Sequence, residues 1–195
     1  MVATPIGNLR DLSFRALDIL NEVDLILCED TRKSRILFNE FNIMTKYDSL
    51  HEFTSFKNIE KYVSFLEEGN SIALISDAGT PLISDPGFEI VKIAKEKNIF
   101  VNPLPGPSSV ISALVGSGLK IDKFIFEGFP PRKKQELENY LKCYLYEERT
   151  VVLFESPRRI KKLVQSVTEI LGKDRNVTLA KEISKPHQKF ISGSS

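Results

Sequence analysis

Ser71-Ile72-Ala73-Leu74-Ile75-Ser76-Asp77-Ala78-Gly79-Thr80-Pro81-Leu82-Ile83-Ser84-Asp85-Pro86-Gly87 is the stretch whose reading decides the fold. It begins as an apolar run bounded by turn signals, the pattern of a buried strand. Two turns follow, and Phe88-Glu89-Ile90-Val91-Lys92-Ile93-Ala94 then has the apolar spacing of a helix. A strand therefore ends in a loop with two acids, two glycines and two prolines, and a helix leaves it. In an open α/β sheet, ligands bind beyond the carboxyl ends of the strands, which makes this loop a candidate site. Gly and Pro also make plain tight turns, and turn chemistry alone does not separate the two readings.

The same unit recurs on both sides. Residues 2–4 read as the end of a strand, followed by a turn and a helix with Phe14, Ala16, Leu17 and Leu20 on one face, capped by Asp11 or Ser13. Residues 24–28 form a buried strand that ends in Glu29-Asp30-Thr31-Arg32, with a helix through Ile36, Leu37 and Phe41 behind it. Residues 47–51 suit an edge strand, and 57–68 an amphipathic helix with Ile59, Tyr62, Val63 and Leu66 inward. A strand at 99–102 leads into Pro103-Leu104-Pro105-Gly106-Pro107, whose three prolines exclude helix and central strand. Ser108 or Ser109 can cap a helix over 110–114. Alternation of this kind predicts an α/β fold with a mostly parallel sheet and helices on both faces. The Gly-containing segment 116–122 marks the expected boundary between domains 1–117 and 118–195. The second domain reads as strands at 124–129, 150–154 and 176–180, helices over 135–146 and up to 171, and a further strand starting near Phe190.

The totals exclude several classes. The 195 residues carry a net charge of +1, 42% hydrophobic and 27% charged residues, ordinary values for a globular chain without a global nucleic-acid footprint. Cys28 and Cys143 form no disulfide framework and no metal spacing, and both read as buried thiols of a cytoplasmic protein. No signal peptide and no run of about 20 apolar residues is present. G-x-G-x-x-G is absent after the first strand, which argues against a dinucleotide enzyme, and no Walker A sequence occurs. His51 and His187 belong to no triad-like or metal pattern. What remains is a set of strand-end loops. Glu29, Asp30, Asp77 and Asp85 can accept from ribose hydroxyls or an amino group, or simply cap helices. Pro105-Gly106-Pro107-Ser108 is a rigid turn whose glycine permits close approach. Arg132, Lys133, Lys134, Arg158, Arg159, Lys161 and Lys162 can contact phosphate or form a solvated face.

Val2-Ala3-Thr4-Pro5-Ile6-Gly7-Asn8-Leu9, Glu29-Asp30-Thr31-Arg32, Ser76-Asp77-Ala78-Gly79-Thr80-Pro81, Ser84-Asp85-Pro86-Gly87, Pro105-Gly106-Pro107-Ser108, Phe126-Glu127-Gly128-Phe129 and Phe154-Glu155-Ser156-Pro157-Arg158-Arg159, in this order, strongly resemble the 16S ribosomal RNA (cytidine-2′-O)-methyltransferases of the small-subunit methyltransferase I family. That family belongs to the tetrapyrrole methylase-like, class III superfamily. The resemblance implies two α/β domains with S-adenosylmethionine in the cleft between them, a homodimer, and methyl transfer to a ribose 2′-hydroxyl of 16S rRNA in the small subunit. It implies cofactor contacts from Pro5, Ile6, Gly7, Asp77, Ala78, Gly79, Thr80, Pro81, Gly106, Pro107, Ser108, Phe154 and Pro157. Phe53 and Thr54 stand where the family tends to have a His and an Asn after His51. The second domain is expected to lack its last strands and helix.

A ribose hydroxyl is a poor nucleophile near neutral pH, so a base or a charge beside the developing alkoxide is expected. Asp30, Arg32 and Glu29 are the favoured catalytic residues, with Asp85, Glu182 and Lys181 as further candidates. Arg32, Lys33, Arg35, Arg132, Lys133, Arg158 and Arg159 are the expected RNA contacts. The alternatives are a tetrapyrrole or diphthamide-type methyltransferase of the same superfamily, or a non-enzymatic nucleotide-binding module.

Overall fold

Strand β1 (Leu25–Cys28) is the centre of a parallel sheet, flanked by β2 (Tyr47–Ser49) and β3 (Ile72–Leu74). Ile26, Leu27 and Cys28 are fully buried, and the side chains alternate between two cores. Ile26 and Cys28 face helices α1 (Phe14–Glu22) and α2 (Thr31–Glu40) through Ala16, Leu20, Leu37 and Phe38. Leu27 and Leu74 face α3 (Phe56–Glu67) and α4 (Phe88–Glu96) through Ile59, Tyr62, Val63 and Ile90. Coverage on both faces is why the strand reads as a continuous apolar run instead of an alternating one. The helix starts are chemically set: Ser13 Oγ accepts from Ala16 N at 3.1 Å, and Ser55 Oγ from Asn58 N at 3.4 Å.

Beyond β3 the sheet continues as single bridges. Val2 N donates to Leu74 O, and Leu104 N donates to Met1 O, both at 2.9 Å; Val2 and Leu104 form a parallel bridge. The strands expected at 2–4 and 99–102 therefore shrink, and the second shifts to Leu104. Pro103 and Pro105 have no N–H, so Leu104 holds the one donor in that segment able to pair.

The computed structural model describes residues 1–195, which divide into two compact units, Met1–Ser108 and Ser109–Ser195. Helix α5 (Ser109–Gly116) thus belongs with the second unit and not, as the boundary at 117 had it, with the first. Its end is fastened there. Gly116 lies against the Phe190 ring with no room for a Cβ, and Ser117 O accepts from Thr178 Oγ1 at 2.9 Å. The second unit holds a parallel pair, β4 (Phe124–Gly128) with β5 (Thr150–Leu153), and an antiparallel pair, β6 (Asn176–Lys181) with β7 (Lys189–Ser194). Helices α6 (Lys134–Lys142) and α7 (Ile160–Leu171) bury Leu137, Leu141 and Leu163 together. Helix α6 stops short of the expected residue 146. Cys143 N, Tyr144 N and Leu145 N donate to carbonyls three residues back, so the last turn tightens out of α-helix. Cys143 on that turn is exposed, contrary to the buried thiol expected, whereas Cys28 is buried. No helix is long and apolar enough to cross a membrane.

Candidate functional site

Three loops meet at the carboxyl ends of the strands of the first unit. Thr4 and Gly79 exchange both backbone hydrogen bonds, each 2.9 Å. Thr4 Oγ1 donates to Ser76 O at 3.0 Å, and Ser76 Oγ donates to Gly79 O at 3.1 Å. Thr80 Oγ1 donates to Pro107 O at 3.1 Å, which adds the third loop. Two glycines allow this approach. Gly79 has φ +91°, and a Cβ there would stand 3.3 Å from Ile6 Cγ2 and 3.7 Å from Pro107 O. A Cβ on Gly106 would stand 2.7 Å from Ala3 Cβ. Gly7 and Ala78 are exposed, Pro5, Ile6, Asp77, Thr80, Pro107 and Ser108 are half-buried, and Pro81 is buried.

The strand-end acids divide by their partners. Asp30 is the N-cap of α2: its Oδ1 accepts from Arg32 N at 2.9 Å and Nε at 3.0 Å, and its Oδ2 from Nη2 at 2.7 Å. The Arg32 side chain first, and its backbone N–H second, hold the Asp30 carboxyl far below the usual range. A carboxylate so stabilised is a weak base. The carboxylate of Asp77 braces the same helix end, accepting from Asp30 N at 3.1 Å and from Lys33 Nζ at 2.5 Å. Glu29 and Asp85 go the other way. Burial first, then the carboxylates of Asp77 and Asp85, push Glu29 up; burial first, then Asp77, push Asp85 up against a lowering bond from Ser76. Both line a cleft of about 480 Å³ that also includes His51, Thr54 and Pro86. A larger cleft, about 1120 Å³, opens between Asp24, Lys46 and Tyr62 at the opposite, amino ends of β1 and β2, away from these groups.

The tetrapyrrole (corrin/porphyrin) methylase family model matches residues 1–195. The chain belongs to that family. Within it, the methylase is 46% identical over 193 residues to a ribosomal RNA small subunit methyltransferase I of Thermotoga maritima, covering 99% of this chain and 86% of that one. It is 43% identical to the protein of the same name from Synechocystis, covering 99% and 69%, and 43% identical to that of Escherichia coli O157:H7, covering 95% and 65%. Among solved structures, diphthine synthase superposes with a TM-score of 0.73 at 15% identity, over 99% of this chain and 80% of that one. Cobalt precorrin-4 methyltransferase does so with 0.68 at 16%, over 99% and 83%. These likenesses are of fold, the class III α/β architecture.

The remaining sequence candidates of the methylase fall into distinct settings. Arg32 is 89% exposed, although its head is folded onto Asp30, and Lys33 is held by Asp77. Arg35 is exposed, with Nη2 donating to Tyr47 Oη at 3.5 Å. Phe154 and Pro157 lie in the second unit, just beyond β5, with Phe154 edge-on to Phe126 at 5.0 Å. Arg132, Lys133 and Arg158 are exposed there, Lys133 pairing with Glu136 at 2.9 Å. Arg159 is not a free cation: Nη2 donates to Pro131 O at 2.9 Å and pairs with Glu155, whose side chain is 3% exposed, at 3.2 Å. Glu182, also in the second unit, has φ +53° and pairs with Lys185 at 3.3 Å, and Lys181 ends β6. His51 is exposed, its N–H donating to Thr54 Oγ1, and His187 is exposed in the β6–β7 loop. Sequence reasoning missed Thr4 and Ser76, the buried hydroxyls that tie the loops together. Their signal was small polar residues in segments that otherwise read as buried strand.

Proposed function

We propose that the chain transfers the methyl group of S-adenosylmethionine to a cytidine ribose 2′-hydroxyl of 16S rRNA in the small ribosomal subunit. The observation that carries this reading is the 46% identity, over 99% of the chain, to a protein named ribosomal RNA small subunit methyltransferase I. The loops of the first unit fit the donor. Gly79 and Gly106 each lack a Cβ that would crowd a neighbouring segment, at Ile6 Cγ2 and at Ala3 Cβ, so the three segments pack closely at the strand ends where a ligand would sit. Pro5, Ile6, Gly7, Asp77, Ala78, Gly79, Thr80, Pro81, Gly106, Pro107 and Ser108 would hold S-adenosylmethionine. When bound, the sulfonium supplies an electrophilic methyl carbon.

The chain's own contribution is orientation and charge. The bonds among Thr4, Ser76, Gly79, Thr80 and Pro107 fix the loops before ligand arrives, so little ordering is left to be done on binding. Asp30 and Asp77 fix the start of α2, which carries Arg32 and Arg35 one turn apart on a solvent-facing side. In this reading Arg32, Lys33, Arg35, Arg132, Lys133 and Arg158 meet RNA phosphates, Arg159 being committed to Glu155, and Asp30, Arg32 and Glu29 stand near the target ribose. The chain acts as a homodimer in the cytoplasm; light scattering on the purified chain tests the first of these.

The deciding experiment offers labelled S-adenosylmethionine with small subunits isolated from a strain lacking the modification. Label in 16S rRNA, in an alkali-resistant dinucleotide containing cytidine, is the expected result. Label in an offered tetrapyrrole or in protein, with none in RNA, would overturn the proposal in favour of another branch of the family.

A further inference from the structure

We infer that Glu29 is the general base that takes the proton from the ribose 2′-hydroxyl. The inference rests on the methyl-transfer reading above and assigns one role within it. The acids at the carboxyl ends of β1 and β3 differ in how far their oxygens are already bonded. Asp30 spends both oxygens on Arg32, and Asp77 spends both on Asp30 N and Lys33. Glu29 is the strand-end carboxylate of β1 with no hydrogen bond in the structure. It is half-buried and lines the 480 Å³ cleft.

A base must be ionised yet unsatisfied, so that a proton lowers its energy. The groups around Glu29 set that condition. Asp77 from the loop after β3, Asp85 from the loop before α4 and Asp30 from the start of α2 oppose its charge; Lys33 favours it. His51, Glu52 and Glu89 also border the cleft. With Lys33 committed to Asp77, burial first and then the neighbouring carboxylates dominate, and the Glu29 carboxyl is pushed up. Its neighbour in sequence, Asp30, is driven the opposite way. Two adjacent carboxyls pushed apart in this manner are the pattern expected of divided roles: Asp30 keeps its charge and positions Arg32, and Glu29 exchanges a proton.

The step balances without another reactant. A Glu29 carboxylate oxygen accepts the hydroxyl proton as the ribose oxygen bonds to the methyl carbon. The carbon–sulfur bond breaks with its electron pair staying on sulfur, which leaves neutral S-adenosylhomocysteine, 2′-O-methylated RNA and a protonated Glu29. Solvent then removes that proton.

The test compares wild type, Glu29→Gln and Glu29→Asp as full chains. Expected for Glu29→Gln is a fall in kcat of about 100-fold or more, the usual span for loss of a general base, with S-adenosylhomocysteine affinity by calorimetry and KM for small subunits within about threefold. The wild-type kcat should rise with pH along an acid limb that Glu29→Gln lacks. Glu29→Asp should recover part of the rate and keep the limb. Carbon-13 NMR of the Glu side-chain carboxyls, assigned with Glu29→Gln, should show one resonance titrating above the ordinary glutamate range without any substrate present. A Glu29→Gln chain with near-wild-type kcat, an unchanged acid limb, or an ordinary Glu29 titration overturns the assignment. A wild type that leaves small subunits unlabelled overturns the function and the assignment with it.

Discussion

Gly79→Ala tests the cofactor cradle through its backbone. Gly79 sits at φ +91°, where an L-residue is strained by about 1–2 kcal/mol. The added methyl would also stand 3.3 Å from Ile6 Cγ2, so Ile6 or the loop must yield by a few tenths of an ångström. Gly69 supplies the matched control: its φ is +90°, and a Cβ there meets nothing within 4 Å. Both variants should therefore lose about 1–2 kcal/mol in urea unfolding, and Gly79→Ala somewhat more from crowding. For a chain of this size that is a fall in Tm of about 2–8 °C. The two separate on ligand binding. Calorimetry with S-adenosylhomocysteine should show Gly69→Ala unchanged and Gly79→Ala weakened about tenfold or more, the equivalent of about 1.4 kcal/mol. Equal affinity for both variants, with Gly79→Ala destabilised as expected, would refute the claim that this loop holds the methyl donor. An undisturbed Gly79→Ala stability would refute the geometric reasoning itself.

Stability should report Glu29 in the opposite sense to activity. A raised folded-state carboxyl binds protons the unfolded chain has already released, so its contribution falls as pH rises from about 4 through the raised value. Glu29→Gln should have a higher Tm than wild type near neutral pH and an equal Tm near about pH 3, by calorimetry. Arg159→Ala should cost about 2–4 kcal/mol in chemical denaturation, because it strands the buried Glu155 carboxylate and the Pro131 carbonyl. The exposed Arg158→Ala should leave stability within about 0.5 kcal/mol and reduce the salt dependence of RNA binding by about one unit of slope. A thiol reagent should modify the exposed Cys143 readily in the folded chain and reach Cys28, buried and with its thiol pushed up by that burial, only after denaturation.

The α/β pattern was legible because β1 and β3 are apolar runs flanked by periodic helices, and because Ser13, one of two candidate caps, caps where its chemistry puts it. The proximity of the Pro5, Gly79 and Pro107 loops was legible only as what the family resemblance implied, because strand order is not written in the periodicity of single strands. Partner choice was not. Nothing in Glu29-Asp30-Thr31-Arg32 says that Arg32 turns back onto Asp30, or that Lys33 reaches Asp77 across 44 positions. These are side-chain decisions made after the backbone is placed, and they leave the adjacent acids Glu29 and Asp30 in opposite settings. Arg159 illustrates the same gap: a charge run looks solvated until a buried carboxylate four residues earlier claims one member. The reach of α5 into the second unit was hidden because Gly116 reads as a helix stop, while the Phe190 ring that packs on it lies far along the chain.

The bridges at Val2 and Thr4 also constrain the order in which the first unit can assemble. The backbone partners of that segment are Leu74, Gly79 and Leu104, so it takes its place beside β3 only by closing most of the length of the unit. Until then β3 has one side of its ladder open. Contacts of such long sequence separation slow folding, because chain closure must precede any gain from pairing. The Thr4–Gly79 pair is such a contact, so the candidate cradle comes into being only when that closure is made.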